Sequence, residues 1–439
     1  MKYIAVFAVL VFSFIFGENP QEIRVQLKTE STLAPIYLSS IELINTPLSN
    51  TYAKDLEKVL SYDFRYNGKT VTVEKSVEKD RLVKLRQIKE IACPYAVSFT
   101  IQGKELSATV ISSKATSAKI YSNIQLTGSL AEDRRKIHQL SDQIFKELFH
   151  SEGIARSRLL YSYQKKDETG QWISEIVECD WDGENMTFLT KEGSYCINPI
   201  PIPKGEHFQK DCFLYVSYKA GQPKIFIASK EDGKGKRVVD IRGNQMLPAI
   251  SRQRDKIAFI CDASGRTDLF VQSLNPETGK TSTPKQIFSY PRSSQGSPTF
   301  SPDGSKIAFV SDKDGSPRIY VIPSEAKKTR AAAQLLTKKN KENTCPCWSP
   351  DGTKLAYSAK TEGTRQIWIY DFETHEERQL TTGPGNKENP SWAPNSLHLV
   401  FNSTDDMYSD LYIVNIYQPD AVKITKGPGK KHYPAWGSR

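Results

Sequence analysis

The 439-residue sequence contains no Gly-x-Ser-x-Gly, no His-Glu-x-x-His and no phosphate-loop spacing. These absences exclude the common serine hydrolase, zinc protease and nucleotide-phosphate signatures. Histidine is scarce: His138, His150, His207, His375, His398 and His432 are the whole set, and no two stand at i, i+4, so no catalytic or metal site is expected from them. Lys and Arg exceed Asp and Glu by 60 to 50, a net charge of +10, but they are spread through loops rather than gathered in one tract. Such a distribution argues against nucleic acid and suits steering toward acidic surfaces, or plain solubility. The N-terminal apolar run, Tyr3 to Phe16, is too short to span a bilayer. The seven cysteines (Cys93, Cys179, Cys196, Cys212, Cys261, Cys345 and Cys347) are an odd number, which leaves at least one thiol unpaired. Cys345 and Cys347 alternate along an extended segment, at or beyond the Cα separation that a disulfide tolerates.

What the sequence does contain is a repeat. Ser297-Pro-Thr-Phe-Ser-Pro-Asp-Gly-Ser-Lys-Ile-Ala-Phe-Val-Ser311 recurs as Cys345-Pro-Cys-Trp-Ser-Pro-Asp-Gly-Thr-Lys-Leu-Ala-Tyr357 and, without the Asp-Gly, as Asn389-Pro-Ser-Trp-Ala-Pro-Asn395. Its leading prolines, Pro248, Pro298, Pro346, Pro390 and Pro434, are 50, 48, 44 and 44 residues apart, a period typical of propeller blades. Each unit reads as four short strands. The first is Pro-x-aromatic and ends in a Ser-Pro-Asp-Gly turn, where Pro sets φ and Asp and Gly suit the later positions. The apolar second strands belong between packed sheets.

Second strands number six: Leu159 to Tyr163, Phe213 to Ser217, Ile257 to Cys261, Ile307 to Ser311, Leu355 to Ala359 and Leu397 to Phe401. The first unit lacks a Pro-x-aromatic segment, and Tyr433-Pro-Ala-Trp436 at the C-terminus is a first strand with nothing after it. Pairing the two closes the ring and removes open edges. Asp303 and Asp351 are expected to be turn residues rather than metal ligands. Trp348, Trp392 and Trp436 share one blade position and are expected in the inter-blade core. Gly233-Lys-Gly-Lys-Arg237 falls where a third-to-fourth strand hairpin belongs. Fourth strands are expected at Gln379 to Thr381 and Lys423 to Thr425.

Ahead of the repeats, Lys2, the apolar run and Gly17 have the form of a secretory signal, with cleavage expected after about Gly17. A segment with Pro35 and Pro47 reads as an edge strand or extended arm. Asn50 is expected to cap a helix carrying Tyr52, Leu56, Val59 and Leu60. Leu82, Leu85, Ile88 and Ile91 suggest a second helix, and strands follow at Tyr95 to Gln102, Leu106 to Ser112 and Lys119 to Leu126. Ser129 with Glu132 matches a capping box before a helix whose apolar face is Ile137, Leu140, Ile144 and Leu148. The expectation is an α+β multidomain chain: residues 1–17 a signal peptide, 18–153 a small N-terminal α/β domain with an extended arm, and 154–439 a six-bladed β-propeller closed by the C-terminal strand.

Taken together, several features resemble the TolB family, the periplasmic propellers of the Tol-Pal system. They are the signal, the small domain, the helix ending His138-Gln-Leu-Ser-Asp-Gln-Ile-Phe-Lys-Glu-Leu148, the junction Gly153-Ile-Ala-Arg-Ser-Arg-Leu159, the Ser-Pro-Asp-Gly repeats and the terminal Pro434-Ala-Trp436. The resemblance covers the mature chain. It implies a monomeric, non-enzymatic periplasmic scaffold without cofactor or metal, linking the peptidoglycan-associated lipoprotein Pal to inner-membrane TolA in outer-membrane integrity and envelope invagination during cell division. Two departures are the longer, proline-rich first hairpin of the second blade, Pro199 to His207, and Ala393-Pro-Asn395 in the sixth.

The resemblance places Pal on the face formed by loops entering each first strand, at the mouth of the channel. By position relative to the blade prolines these residues are Asn244, Gln245, Ser294, Gln295, Glu342, Asn343, Asn386, Lys387, Lys430, Lys431 and His432, polar as an exposed rim requires. It assigns TolA to the arm, where Glu22, Arg24 and Gln26 alternate with Ile23, Val25 and Leu27, a pattern able to add a strand to a partner's sheet. Two other readings are a propeller that binds peptidoglycan or another envelope glycan directly, and a peptidase-related propeller without its catalytic domain. The missing Gly-x-Ser-x-Gly weighs against the latter.

Overall fold

The structure, a computed structural model, describes residues 33–114, 117–202, 210–275, 281–325 and 333–437. The expected signal, the arm Glu22 to Leu27 and most of the long hairpin of the second blade lie outside the described residues.

The N-terminal domain consists of β1 (Ala34–Ile44), α1 (Asn50–Tyr66), β2 (Thr70–Thr72), α2 (Val77–Lys84), β3 (Tyr95–Gln102), β4 (Glu105–Ser112), β5 (Lys119–Gln125) and α3 (Leu130–Phe149). The sheet order is β2-β1-β3-β4-β5, with β1 parallel to both neighbours. β1 is therefore an interior strand and not an edge or an arm. Pro35 is accommodated there because pairing with β3 starts one residue later, at Ile36. The apolar stripes of α1 and α3, with Leu56, Leu60, Ile137, Leu140 and Ile144, pack on Val97 and Phe99 of the sheet. Each such side chain, fully buried, contributes roughly 1.5–3 kcal/mol.

Three local expectations are corrected. Ser49, one residue before Asn50, caps α1 by accepting from Tyr52 N at 3.1 Å. The second helix stops at Lys84. Leu85 is exposed, and Ile88–Ile91 form a separate 3₁₀ turn that ends at left-handed Ala92. Ser129 makes no side-chain cap among the described residues; buried Asp133 instead accepts from Thr127 N at 2.8 Å and Gly128 N at 3.1 Å.

Residues 158–436 of the described chain build six four-stranded sheets. In blade 1 the order is Lys430–Trp436, Arg158–Lys166, Trp172–Asp180, Thr187–Phe188, with Trp436 opposite Leu159 and Lys431 opposite Tyr163. The C-terminal strand thus closes the ring, as the orphan repeat implies. Second strands such as Ile307 to Val310 are buried on both faces between blades. Fourth strands lie slightly earlier than expected, at Glu377–Gln379 and Gln418–Lys423. Gly233 to Lys236 do form a third-to-fourth hairpin.

The Ser-Pro-Asp-Gly turns work as the sequence implies. Asp351 accepts from Ser349 Oγ at 2.6 Å and Thr353 N at 3.0 Å, and Gly352 takes φ 79°. Asp303 does the same with Ser301 and Ser305, whose hydroxyls hold its carboxyl down to about 2. In blade 6 the turn survives its substitutions: Asn395 Oδ1 accepts from Leu397 N at 3.0 Å, and Ser396 takes the left-handed glycine position.

The two domains share an interface. First strands run toward the Ser-Pro-Asp-Gly turns, so those turns and the third-to-fourth hairpins lie on one face of the propeller. The N-terminal domain sits on that face, over blades 1 and 6. Trp181 Nε1 donates to Asp63 at 3.0 Å, and Asn185 Nδ2 donates to the Ala131 carbonyl at 3.0 Å. Gly68, with φ 81°, comes so close to His398 and Asn415 that any Cβ there would collide with them. The opposite face carries the loops that enter each first strand, clear of the N-terminal domain.

Candidate partner-binding site

Each first strand contains a residue in the left-handed region directly before its proline: Asn198, Leu247, Ser297, Cys345, Asn389 and Tyr433, with φ between 42° and 54°. Sterics disfavour this conformation for L-residues, and for a residue before proline in particular. Its sixfold recurrence reflects one bulge per blade, since the first-strand ladder breaks register here in every sheet. The bulge turns the residue and its proline toward the axis. Proline suits this inner edge because it has no N–H to leave unpaired.

The six pairs line a central cavity of about 470 Å³. Among the described residues, Arg252 is the only charged group lining it. Arg252 stands where other blades have the turn proline, and its guanidinium reaches the Pro350 carbonyl of blade 5 at 3.0 Å, on the side of the N-terminal domain. Adjacent blades touch around the ring, as where Cys345 Sγ donates to Asn389 Oδ1 at 3.2 Å. Trp392 Nε1 donates to the Cys347 carbonyl of the preceding blade at 3.0 Å, and Trp436, whose Nε1 donates to Ser157 Oγ of its own blade at 2.7 Å, packs with Ala393 and Val400 of blade 6, so both indoles are inter-blade core. Trp348 is half-buried and stacks on Phe372, with centroids 4.7 Å apart. All seven cysteines are free thiols.

On the open face, ten of the eleven rim residues divide into two kinds, and His432 stands apart. Gln245, Gln295, Asn343, Lys387 and Lys431, each three positions before a blade proline, are buried rather than exposed. They secure the entering loops from within. Gln245 Nε2 donates to Ile241 O at 2.8 Å, Asn343 Nδ2 to Asn340 O at 2.9 Å, and Lys387 Nζ to Pro384 O at 2.8 Å. Lys431 Nζ reaches Asp410 at 3.0 Å and Gly427 O at 2.8 Å. Burial lowers the pKa of Lys387, whose ammonium donates to the carbonyls of Gly383, Pro384 and Gly385.

Asn244, Ser294, Glu342, Asn386 and Lys430, one residue earlier, are exposed or half-buried at the rim. Asn244 and Ser294 are positioned by carboxylates of the neighbouring second-to-third hairpins, which accept their backbone N–H at 2.6 Å (Asp262) and 2.7 Å (Asp312). Glu342 faces Lys360 at 3.3 Å and Arg365 at 3.6 Å. His432 is half-buried and neutral, because burial and then Lys430 push it down to about 4.

The same face holds residues outside the expected set. Trp172, Met407 and Tyr408 come from the second-to-third hairpins of blades 1 and 6 and are 47%, 69% and 59% exposed. Lys166 and Lys430 lie 5.5 Å and 6.0 Å from the Trp172 ring centroid. Their signal is a large aromatic or apolar residue in a hairpin whose counterparts in blades 3 and 4, Asp262 to Thr267 and Asp312 to Pro317, have none. Among the described residues, this face offers shape, apolar anchors and fixed polar groups, and none of them pairs a nucleophile with a base. No helix among the described residues is long and apolar enough to cross a membrane.

Residues 145–439 match the family described as the TolB beta propeller domain. A Protein TolB homolog of Protochlamydia amoebophila is 46% identical over 393 residues, covering 86% of this chain and 83% of its own length. One from Chlamydia felis is 35% identical over 278 residues, covering 63% and 61% respectively. In fold, the crystal structure of TolB from Acinetobacter baumannii superposes with a TM-score of 0.73 at 19% identity, covering 92% of this chain and 97% of that one.

Proposed function

The chain belongs to the TolB family, and we propose that it is a periplasmic, non-enzymatic scaffold of the Tol-Pal system that holds Pal on its open propeller face and reaches TolA through its N-terminal arm. The observation that carries this reading is the channel mouth itself. It leads into a cavity of about 470 Å³ with a nearly uncharged lining, which runs from the left-handed residues to the turns on the side of the N-terminal domain, while the hydrogen-bonded entering loops ring the opposite end without lining it. Such a mouth suits the insertion of a protein loop.

Within that face, the contacts fall to Asn244, Ser294, Glu342, Asn386, Lys430 and His432, while Gln245, Gln295, Asn343, Lys387 and Lys431 act as internal supports. Trp172, Met407 and Tyr408 serve as off-centre anchors, the exposed aromatic and apolar residue types on which binding energy concentrates. The arm Glu22 to Leu27 is assigned to TolA by its alternating pattern. Titrating purified Pal into the full chain, with soluble peptidoglycan fragments as a second titrant, tests the reading. Saturable Pal binding without peptidoglycan supports it, and binding of the fragments alone favours a glycan-holding propeller.

A further inference from the structure

Where the domains meet, three carboxylates are buried together. Asp63 lies on α1, Asp180 and Asp182 lie at the third-to-fourth hairpin of blade 1, and no side chain among them is more than 6% exposed. Arg134 of α3 lies on both Asp180 and Asp182. Arg158 reaches Asp180 at 2.8 Å and Glu178 at 3.1 Å, and Lys230 reaches Glu178 at 2.7 Å. Among the described residues, four carboxyls thus face three fixed cations; burial outweighs Arg134 and His138 and raises the pKa of Asp182, and with all four ionised one negative charge is left over in a site largely shielded from water. Uncompensated charge in such surroundings is costly.

His138 of α3 stands in the middle. Its Nδ1 is 2.9 Å from Asp63, and its Nε2 points at Asp180 and Asp182, 3.8 Å and 4.0 Å away, with no hydrogen-bond partner among the described residues. A neutral ring that donates from Nδ1 would aim a lone pair at two carboxylates. An imidazolium would cancel the remaining charge. The oxygens nearest Nε2 already hold Arg134 and, at 2.9 Å, Asn185, so a metal dication there would press against a guanidinium. Other titratable groups nearby are Tyr62 of α1, Cys179 of blade 1, buried Asp142 one turn along α3 with Arg156 at 3.4 Å and, farther out, half-exposed Glu184 with Lys426 at 3.6 Å, the last two pairs each neutral overall. Burial raises the pKa of both Tyr62 and Cys179, so neither adds charge.

We propose that this joint is a proton-operated latch: imidazolium His138 ties Asp63 of the N-terminal domain to Asp180 and Asp182 of the propeller, and loss of its proton loosens the interface while both domains stay folded. The direction of the pH effect follows from the surroundings. Burial opposes charge on His138, but the charge and hydrogen bond of Asp63, then Asp182 and Asp180, outweigh it and raise the pKa above its ordinary value. A raised histidine contributes fully below the unfolded value, about 6.5, and its contribution fades as pH climbs through the folded value. The latch therefore weakens toward alkaline pH.

The test combines imidazole ¹⁵N NMR on the histidine-labelled full chain with hydrogen exchange followed from about pH 5.5 to 9. His138 is expected to titrate above about 6.5. Peptides covering 130–142 and 176–186 should lose protection through the same range, while blade 4 peptides, an internal control, keep theirs. His138→Gln retains a donor to Asp63 without charge and should remove this pH dependence. Asp63→Asn should lower the His138 midpoint. A ring that stays neutral throughout, interface protection independent of pH in the wild type, or an unchanged pH dependence in His138→Gln would each overturn the proposal. So would protection that follows added zinc rather than pH. The wild-type measurements decide the matter even if a variant fails to fold.

Discussion

The indole Nε1 of Trp436 donates to the hydroxyl of Ser157 at 2.7 Å, joining residues 279 positions apart in the chain. Ser157 closes the linker from the N-terminal domain, and Trp436 ends the strand that completes blade 1, so this one bond marks the closure of the ring. Removing everything after Lys430 should unfold the propeller cooperatively rather than trim a tail. Trp436→Ala alone should cost about 3–5 kcal/mol, since the ring is almost fully buried. Chemical denaturation of both proteins checks this, and a truncated chain as stable as the intact one would refute closure.

At the start of α3 the two candidate caps make opposite predictions. Ser129→Ala should change stability by less than about 0.5 kcal/mol. Asp133→Asn should cost about 1–2 kcal/mol at neutral pH. Burial alone would raise the Asp133 pKa, but hydrogen bonds from Lys136, Tyr52 and the backbone of Thr127 and Gly128 outweigh it and hold the carboxyl below the usual range. A depressed carboxyl contributes above its unfolded pKa and loses that contribution as pH falls through the folded value. The gap between Asp133→Asn and wild type should therefore close below about pH 4, as read from urea midpoints across pH.

The two kinds of rim residue should separate cleanly. Gln245→Ala and Asn343→Ala each leave backbone partners unsatisfied inside a blade and should cost about 1–3 kcal/mol in stability, with Pal affinity unchanged in the folded protein. Ser294→Arg should leave the melting temperature alone, and Asn386→Arg, which gives up only an exposed hydrogen bond from Arg365 N at 2.9 Å, should lower it little; both should weaken Pal about tenfold or more, the loss of about 1.4 kcal/mol of binding. Calorimetric melting and titration of the four variants make the comparison.

The propeller was legible because its information is local and repeated. A proline, a turn tetrad and an apolar second strand recur with nearly constant spacing, and the orphan at Tyr433 to Trp436 declares its own partner. The rim was less legible. Gln245 and Asn244 are adjacent and both polar, and only the direction of the strand pleat decides that one points inward. The left-handed residues before each proline carry no common side chain, since Leu247, Cys345 and Tyr433 share nothing chemically, so this backbone signal is silent in sequence. The cap at Asp133 is hidden in sequence because Ser129 and Glu132 satisfy a local pattern while Thr127 and Gly128 of the loop before them supply the donors. His138, Asp63, Asp180 and Asp182 come together only through the docking of two domains, which no spacing along the chain encodes.

Deleting residues 18–27 should abolish TolA binding and leave Pal affinity within a factor of about two, as expected if the two partners use separate segments of the chain. Titration of each partner into the deletion and the intact protein checks both halves. Retained TolA binding would remove the arm from the account, and lost Pal binding would move the Pal site.

The most direct test of the partner face is site-specific photo-crosslinking in living cells. A photoreactive residue placed at Ser294 or Asn386, on the open face, should give a covalent adduct with Pal. The same residue at Glu373 or Tyr417, exposed on the third-to-fourth hairpins of the opposite face, should give none. Adducts at Glu373 or Tyr417 without any at Ser294 or Asn386 would contradict the assignment of the open channel mouth as the Pal site.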